Sequence, residues 1–333
     1  MRKFIHVTAV ALAVAGVFTG TASAQGAQPR DGTRALLSAF DNHRIVALGN
    51  PSVGTFALDL IASPRFPDKA DDIVVECGNA FYQPVLDRYI AGEDVPIADV
   101  RHVWRDTAQP YCGFSSFYET LFPLVRRINE KLPAAKKLRV LAGEPPLDWR
   151  TVTGPQDLEQ DRDGHIAAVV EHEVLAKHRR ALMVYGWRHL AHGQGSNAVS
   201  RIERDYPGAA YVVVYHRRFE RDNDRLEARM ASWPVPSLLP FQGTWLGALD
   251  ASYFPDMEEV PPGQHGMPGI DAYLYVGRRD VLLADPVSRS VLDQDYLAEV
   301  DRRADLLGKP ADAPTRPAAI LRDARESSVL FYN

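Results

Sequence analysis

Short apolar runs recur along this chain with amphipathic stretches between them, and that alternation constrains the fold more than any other feature. The runs are Arg44-Ile-Val-Ala-Leu48, Asp72-Ile-Val-Val-Glu76, Lys137-Leu-Arg-Val-Leu-Ala142, Ala181-Leu-Met-Val-Tyr185, Ala210-Tyr-Val-Val-Val-Tyr215 and Asp271-Ala-Tyr-Leu-Tyr-Val276. Three of them stop at a glycine: Gly49, Gly143 and Gly186. Most lack the apolar/polar alternation of a half-exposed strand, so they read as strands buried on both faces. The intervening stretches carry helical spacing. Ala80 to Ile90 follows the second run, and Phe114 to Lys131 puts Phe117, Leu121, Leu124, Val125 and Ile128 on one face. Asp163 to Arg180 does the same with Ile166, Val169, Val170 and Val174, and its basic end suits a helix C-terminus. A further helix is expected over Asp293 to Leu307. Strand and helix in turn give an α/β fold, with a mainly parallel central sheet flanked by helices and an irregular C-terminal part packed on it. One domain over 25–333 accommodates all of this.

The first 24 residues read as an export signal. Arg2 and Lys3 lead, an apolar stretch follows through Gly20, and Ala22-Ser23-Ala24 supplies the small residues of a cleavage site. The strongly apolar part, Val7 to Phe18, is short for a bilayer span. The expected location is periplasmic or secreted, with no membrane anchor after cleavage. Residues 25–33 are polar and read as a flexible leader. The formal charge of -5 grows more negative when Arg2 and Lys3 leave, and basic residues are dispersed, so nucleic acid is not the expected partner. A small-molecule ligand or substrate is. Cys77 and Cys112 could pair in an oxidising compartment, although Cys77 at the end of an apolar strand suits a buried free thiol.

Parallel sheets bind ligands beyond the carboxyl ends of their strands. The strand ends are Gly49-Asn50-Pro51-Ser52-Val53-Gly54-Thr55, Glu76-Cys77-Gly78-Asn79, Gly143-Glu144 and Gly186-Trp187-Arg188-His189. Glu76, directly after Ile-Val-Val, needs a partner or a shifted ionisation if buried. His189 stands on a turn as a base or ligand, against the plainer reading of a hydrogen-bonded loop histidine. At the start of the Asp163 helix, Asp163 suits an N-cap and Arg162 a bidentate grip on a substrate anion, with His165 one turn on. The two glycines after the first strand form neither a P-loop nor a dinucleotide fingerprint, and no cofactor or metal site is expected. There is no G-x-S-x-G elbow.

Taken in order, these motifs resemble the erythromycin-esterase-like superfamily, whose wider clan includes ChaN-type haem-uptake and TIKI-type proteins. The family opens with G-E-A-T-H-G-T where this chain has Gly49 to Thr55. Val75-Glu76, the segment Val103-Trp104-Arg105-Asp106, Gly143-Glu144, Arg162-Asp163-Gly164-His165-Ile166-Ala167 and Arg188-His189-Leu190 are similar to its later motifs. The likeness spans Arg44 to Tyr215. It implies catalytic roles for Glu76 and His189, with Asn50, Arg162, Trp104 and Glu144 binding substrate; His165, an extra imidazole in the same region with no counterpart in the family pattern, is a third catalytic candidate that could stand in for the missing base. It departs from the family where Asn50 and Val53 replace a glutamate and a histidine, and neither replacement can act as a base. The reading this implies is an exported hydrolase that cleaves an ester, lactone or amide by activating water. A non-catalytic ligand-binding protein on the same fold is the alternative, with haem or metal binding a third.

Overall fold

The computed structural model describes residues 28–49, 55–216, 224–254, 263–278, 293–319 and 321–322. All six apolar runs are strands. In chain order the sheet is built from β1 (Arg30–Asp31), β2 (Ile45–Gly49), β3 (Asp72–Asn79), β4 (Arg139–Glu144), β5 (Ala181–Tyr185), β6 (Ala210–Tyr215), β7 (Ser237–Pro240) and β8 (Ala272–Tyr275). Their order across the sheet is β1-β7-β8-β6-β2-β5-β3-β4. Strand β2 lies at the centre, parallel to β5 from Ile45↔Ala181 to Gly49↔Tyr185 and to β6 from Ile45↔Ala210 to Gly49↔Val214. Strands β3, β4 and β8 continue the parallel pairing, and β7 and β1 close one side antiparallel. The fold is α/β with a mostly parallel mixed sheet.

The near-continuous hydrophobicity of the strands follows from this placement, because both faces are covered. Val46, Leu48, Ile73, Val75, Leu182 and Val184 point into one core layer. There they meet α1 (Gly32–Ala39), α2 (Phe56–Ala62), α3 (Gln83–Ala91), α4 (Ile97–Arg105) and α5 (Ser116–Asn129). Ile45, Ala47, Val74, Met183, Val212 and Val214 point into the other, against α6 (Arg162–Val170), α7 (Ala198–Asp205) and α8 (Asp224–Met230). The two-residue period of a strand sorts neighbours to opposite layers. Each fully buried Leu, Ile or Val contributes about 1.5–3 kcal/mol.

Several expectations change. Residues Arg30–Asp31 pair with β7 and Gly32 opens α1, so the structure departs from the expected leader in its last residues. The C-terminal part supplies the expected strand β8 and also the unexpected β7 beside it, and the expected helix α9 (Gln294–Leu306) packs on the turn Pro110–Phe114 through Tyr296, Leu297 and Val300 around Phe114. Helix α6 is shorter than expected, ending at Val170 and passing through a π turn, Glu171–Leu175. Cys77 and Cys112 are not free thiols but a disulfide, with Cα atoms 5.4 Å apart. Their separation of 35 residues hid this, since only the packing of α4 against β3 brings the segments together.

Candidate active site at the carboxyl edge

Parallel pairing puts the ends of β2, β3, β4, β5 and β6 at one edge of the sheet. The β3–β4 register shifts between Val75 and Asn79, so Glu76 stands in an irregularity of its strand. Bulges of this kind re-aim side chains beside active sites. Glu76 is largely enclosed, with 12% of its side chain exposed. Its Oε2 accepts from the Gly186 backbone N–H at 2.7 Å, at the end of β5. Its Oε1 accepts from the Tyr111 hydroxyl at 2.9 Å and from Arg162 Nη2 at 3.5 Å. His189 Nε2 stands 3.8 Å from that same oxygen.

Arg162, at the start of α6, is gripped by Glu144 at the end of β4. Its Nε donates to Oε1 and Oε2 at 3.0 and 2.8 Å, and Nη2 donates to Oε1 as well. Glu144 is buried, and burial pushes its carboxyl above the usual range while the Arg162 guanidinium pulls it back. Burial works to lower the Arg162 ionisation, but the hydrogen bond and charge of Glu144 outweigh it and hold the guanidinium charged. With Nε and Nη2 taken by carboxylates, the expected bidentate grip on a substrate anion is not open to Arg162 in this arrangement. Neither glutamate takes Nη1.

His189 sits in the short helical turn Trp187–His189 after β5. Its Nδ1 is 2.8 Å from Asp163 Oδ1, which also accepts from the Ala198 N–H at 2.9 Å. An ionised carboxylate only accepts, so Nδ1 is the donor of this contact, and the ring is held with Nε2 facing Glu76. Asp163 was expected to cap its helix. Asp161 does so instead, accepting from the Gly164 N–H at 3.0 Å, and that leaves Asp163 to orient the imidazole.

The remaining sequence candidates part company. His165 is on α6 three residues past Arg162, and its Nε2 is buried with no hydrogen-bond partner among the described residues. Burial lowers its pKa and favours the neutral ring. No hydrogen bond or ion pair joins it to Glu76, Glu144 or His189. Trp104 is 1% exposed on α4 and stacks edge-on against Phe122 at 5.5 Å, so the structure makes it core and not a ligand contact. Asn50 follows Gly49 directly but, like Val53, lies outside the described residues. Tyr82 is tied to Asp106 by a 2.8 Å hydrogen bond. Among the described residues no group of three or more His, Cys, Asp or Glu side chains is arranged to hold a metal ion. A cavity of about 730 Å³ lies elsewhere, against the outer edge of β4 near Gln83, Lys137 and Arg139.

Two residues of the cluster leave no clear signal in the sequence. Along the chain, Asp163 has the position of a helix cap and not of a histidine partner. Tyr111 sits in a loop with no periodic pattern, and the one signal pointing to it was its neighbour Cys112, had that been paired with Cys77.

No family model matches the chain, and no curated protein matches it. Two solved structures are similar to it. The type III effector HopBA1 has a TM-score of 0.41 and 11% identity, over 64% of this chain and 91% of the effector. A protein from Bacillus cereus has a TM-score of 0.44 and 10% identity, over 75% of this chain and 94% of its own. Likeness at this level carries no argument about the site.

Proposed function

We propose that this chain is an exported hydrolase of the erythromycin-esterase-like kind, cleaving an ester, lactone or amide by activating water at the Glu76–His189 pair. One observation carries the reading: an imidazole oriented by a carboxylate on Nδ1 presents Nε2 to a second, enclosed carboxylate at 3.8 Å. A water lodged beside both groups gives its proton to Nε2 as its oxygen attacks the carbonyl carbon. When the tetrahedral intermediate collapses, the imidazolium returns that proton to the leaving alkoxide or amine. Glu76 steadies the water and the imidazolium, and Arg162 Nη1 is the cationic donor left for the carbonyl oxygen. Export fits the disulfide, since such bonds persist in oxidising compartments.

The test is a panel of esters, lactones and amides offered to the purified chain from Gln25, beside Glu76→Ala and His189→Ala. Loss of general acid–base catalysis costs about 10²–10⁴-fold, so each variant is expected to fall to background. Equal rates in all three proteins would overturn the reading. Thermal stabilisation by a ligand without turnover would instead favour a binding protein, as the replacements Asn50 and Val53 suggest.

A further inference from the structure

Glu76 and Cys77 are consecutive in β3, and Tyr111 and Cys112 are consecutive in the turn Pro110–Phe114. The disulfide therefore joins the two segments one residue away from the hydrogen bond between Tyr111 and Glu76. Cys77 is 3% and Cys112 0% exposed, whereas Tyr111 is 56% exposed. An exposed side chain loses rotamer freedom when held in one place, so packing of its own ring does not account for the position of this phenol. The backbone around it does. Gly113 leaves the space that the Tyr296 hydroxyl of α9 fills: a Cβ there would lie 1.7 Å from that oxygen. Phe114 packs with Tyr296, Leu297 and Val300. Upstream, the Asp106 carboxylate is held by Tyr82, His102 and Arg303.

We propose that the Cys77–Cys112 disulfide is a positioning device of the site, holding the Tyr111 hydroxyl on Glu76 Oε1, and that Tyr111 is the positioning residue that sets the orientation of this carboxylate. Its part in turnover rests on the reading of Glu76 given above; its geometry does not. Gly186 fixes Oε2, and Arg162 reaches Oε1 only at 3.5 Å, so Tyr111 makes the shortest contact to the oxygen that faces His189. The clip also governs the phenol. Enclosure of its hydroxyl end and the negative charge of Glu76 both push the Tyr111 ionisation up.

Tetranitromethane attacks the phenolate form of tyrosine, so nitration mapped by peptide mass spectrometry reads the clip without any substrate. Three proteins are compared: the native chain, Glu76→Ala with the disulfide intact, and the double variant Cys77→Ala/Cys112→Ala. Tyr111 is expected to react slowly in the first and about tenfold faster or more in the other two, as one unit of ionisation is tenfold in phenolate, with Tyr253 as the unchanged reference. If the double variant does not fold, the native chain reduced with a phosphine and alkylated takes its place. Unchanged nitration of Tyr111 in either comparison overturns the clip. With a substrate in hand, Tyr111→Phe and the double cysteine variant should each lower kcat about tenfold at constant KM, the size of one charge-assisted hydrogen bond, and their combination should be no worse than either. Additive losses overturn the link between disulfide and tyrosine. The expected nitration in a protein that hydrolyses nothing supports the clip and sinks the hydrolase reading alone.

Discussion

Strand β3 carries one carboxylate at its amino end and another at the irregularity partway along it, and the two are treated differently by the fold. Asp72, at the amino end, is 0% exposed and saturated. Arg139 reaches it at 2.7 and 3.1 Å, and Arg179 at 2.7 and 2.8 Å, so both of its oxygens carry two guanidinium hydrogen bonds. Arg139 also bonds Glu173 at 3.0 Å, which ties the π turn after α6 to the sheet. No histidine faces Asp72 in this network. Glu76, at the irregularity, has one backbone N–H, one phenol, a long contact to a guanidinium already committed to Glu144, and an imidazole just beyond hydrogen-bond range. The first arrangement offsets the cost of burying a charge and leaves no acceptor open. The second leaves acceptor capacity and a titratable base side by side, which suits a group that must exchange partners during a reaction.

Removing each carboxylate breaks the comparison most sharply. His189→Ala and Glu76→Ala are expected to lower kcat/KM by about 10²–10⁴, or about 3–5 kcal/mol on the barrier. Both should leave the melting temperature within a few degrees of the native value. Asp72→Ala is expected to do the reverse. It strands two arginines that are each about one-third exposed, 32% and 29%, and can partly rehydrate. The stability loss therefore falls near the low end of the range for a broken buried pair, about 3 kcal/mol, while activity per folded molecule is kept. Denaturant midpoints and rates measured on the same preparations check this. A Glu76 variant that melts early and an Asp72 variant that is inactive while folded would reverse the assignment of the two carboxylates.

The sequence carried this contrast only in part. The strands were legible because burial on both faces leaves an unbroken apolar signature, and the strand-end rule then led to Glu76, Glu144 and His189. Strands β1 and β7, of two and four residues, are too short to leave a pattern, and their pairing is tertiary. Asp163 was misread because Asp161, two residues earlier, offers the same capping chemistry, and nothing local says which one turns away. Trp104 was placed in the site by likeness to a motif, although Val100, Val103 and Trp104 share the helical spacing of a core face. The disulfide and Tyr111 depend on two segments meeting across 35 residues, a distance no local pattern encodes.

A third ionic cluster extends the comparison into pH. His192 Nδ1 lies 2.7 Å from Glu203 of α7, and Nε2 lies 2.9 Å from Asp271 ahead of β8. Burial works to lower its pKa, but the bonds to Asp271 and Glu203 outweigh that and raise it from 6.5 to about 9. A group raised on folding stabilises most fully below its unfolded value and loses that contribution as pH climbs through the folded one. The native chain is therefore expected to lose up to about 3 kcal/mol of stability between pH 6.5 and 9 through this residue. Urea midpoints across that window should slope downward, and His192→Gln should flatten the slope. An equal slope in both proteins would place the effect elsewhere.

The smallest effect concerns how closely the ends of β4 and β5 must approach to bring Glu144 and His189 into one site. Tyr185 is fully buried, and its hydroxyl donates to the Val75 carbonyl at 3.1 Å. A Cβ on Gly143 would lie 1.5 Å from that hydroxyl and 2.9 Å from the carbonyl oxygen. Gly143→Ala must then push the phenol aside, at about 1–3 kcal/mol for an overpacked core site. It also shifts Glu144, the next residue, against Arg162. Tyr185→Phe with Gly143→Ala removes the clashing oxygen and the bond it makes, so the pair should recover part of the loss. Because Tyr185 is also the ring beside His189, with centroids 6.1 Å apart, activity should fall more than stability in Gly143→Ala and return in the double variant. Rescue of stability without rescue of rate would show that Gly143 serves the packing of the sheet and not the spacing of the site.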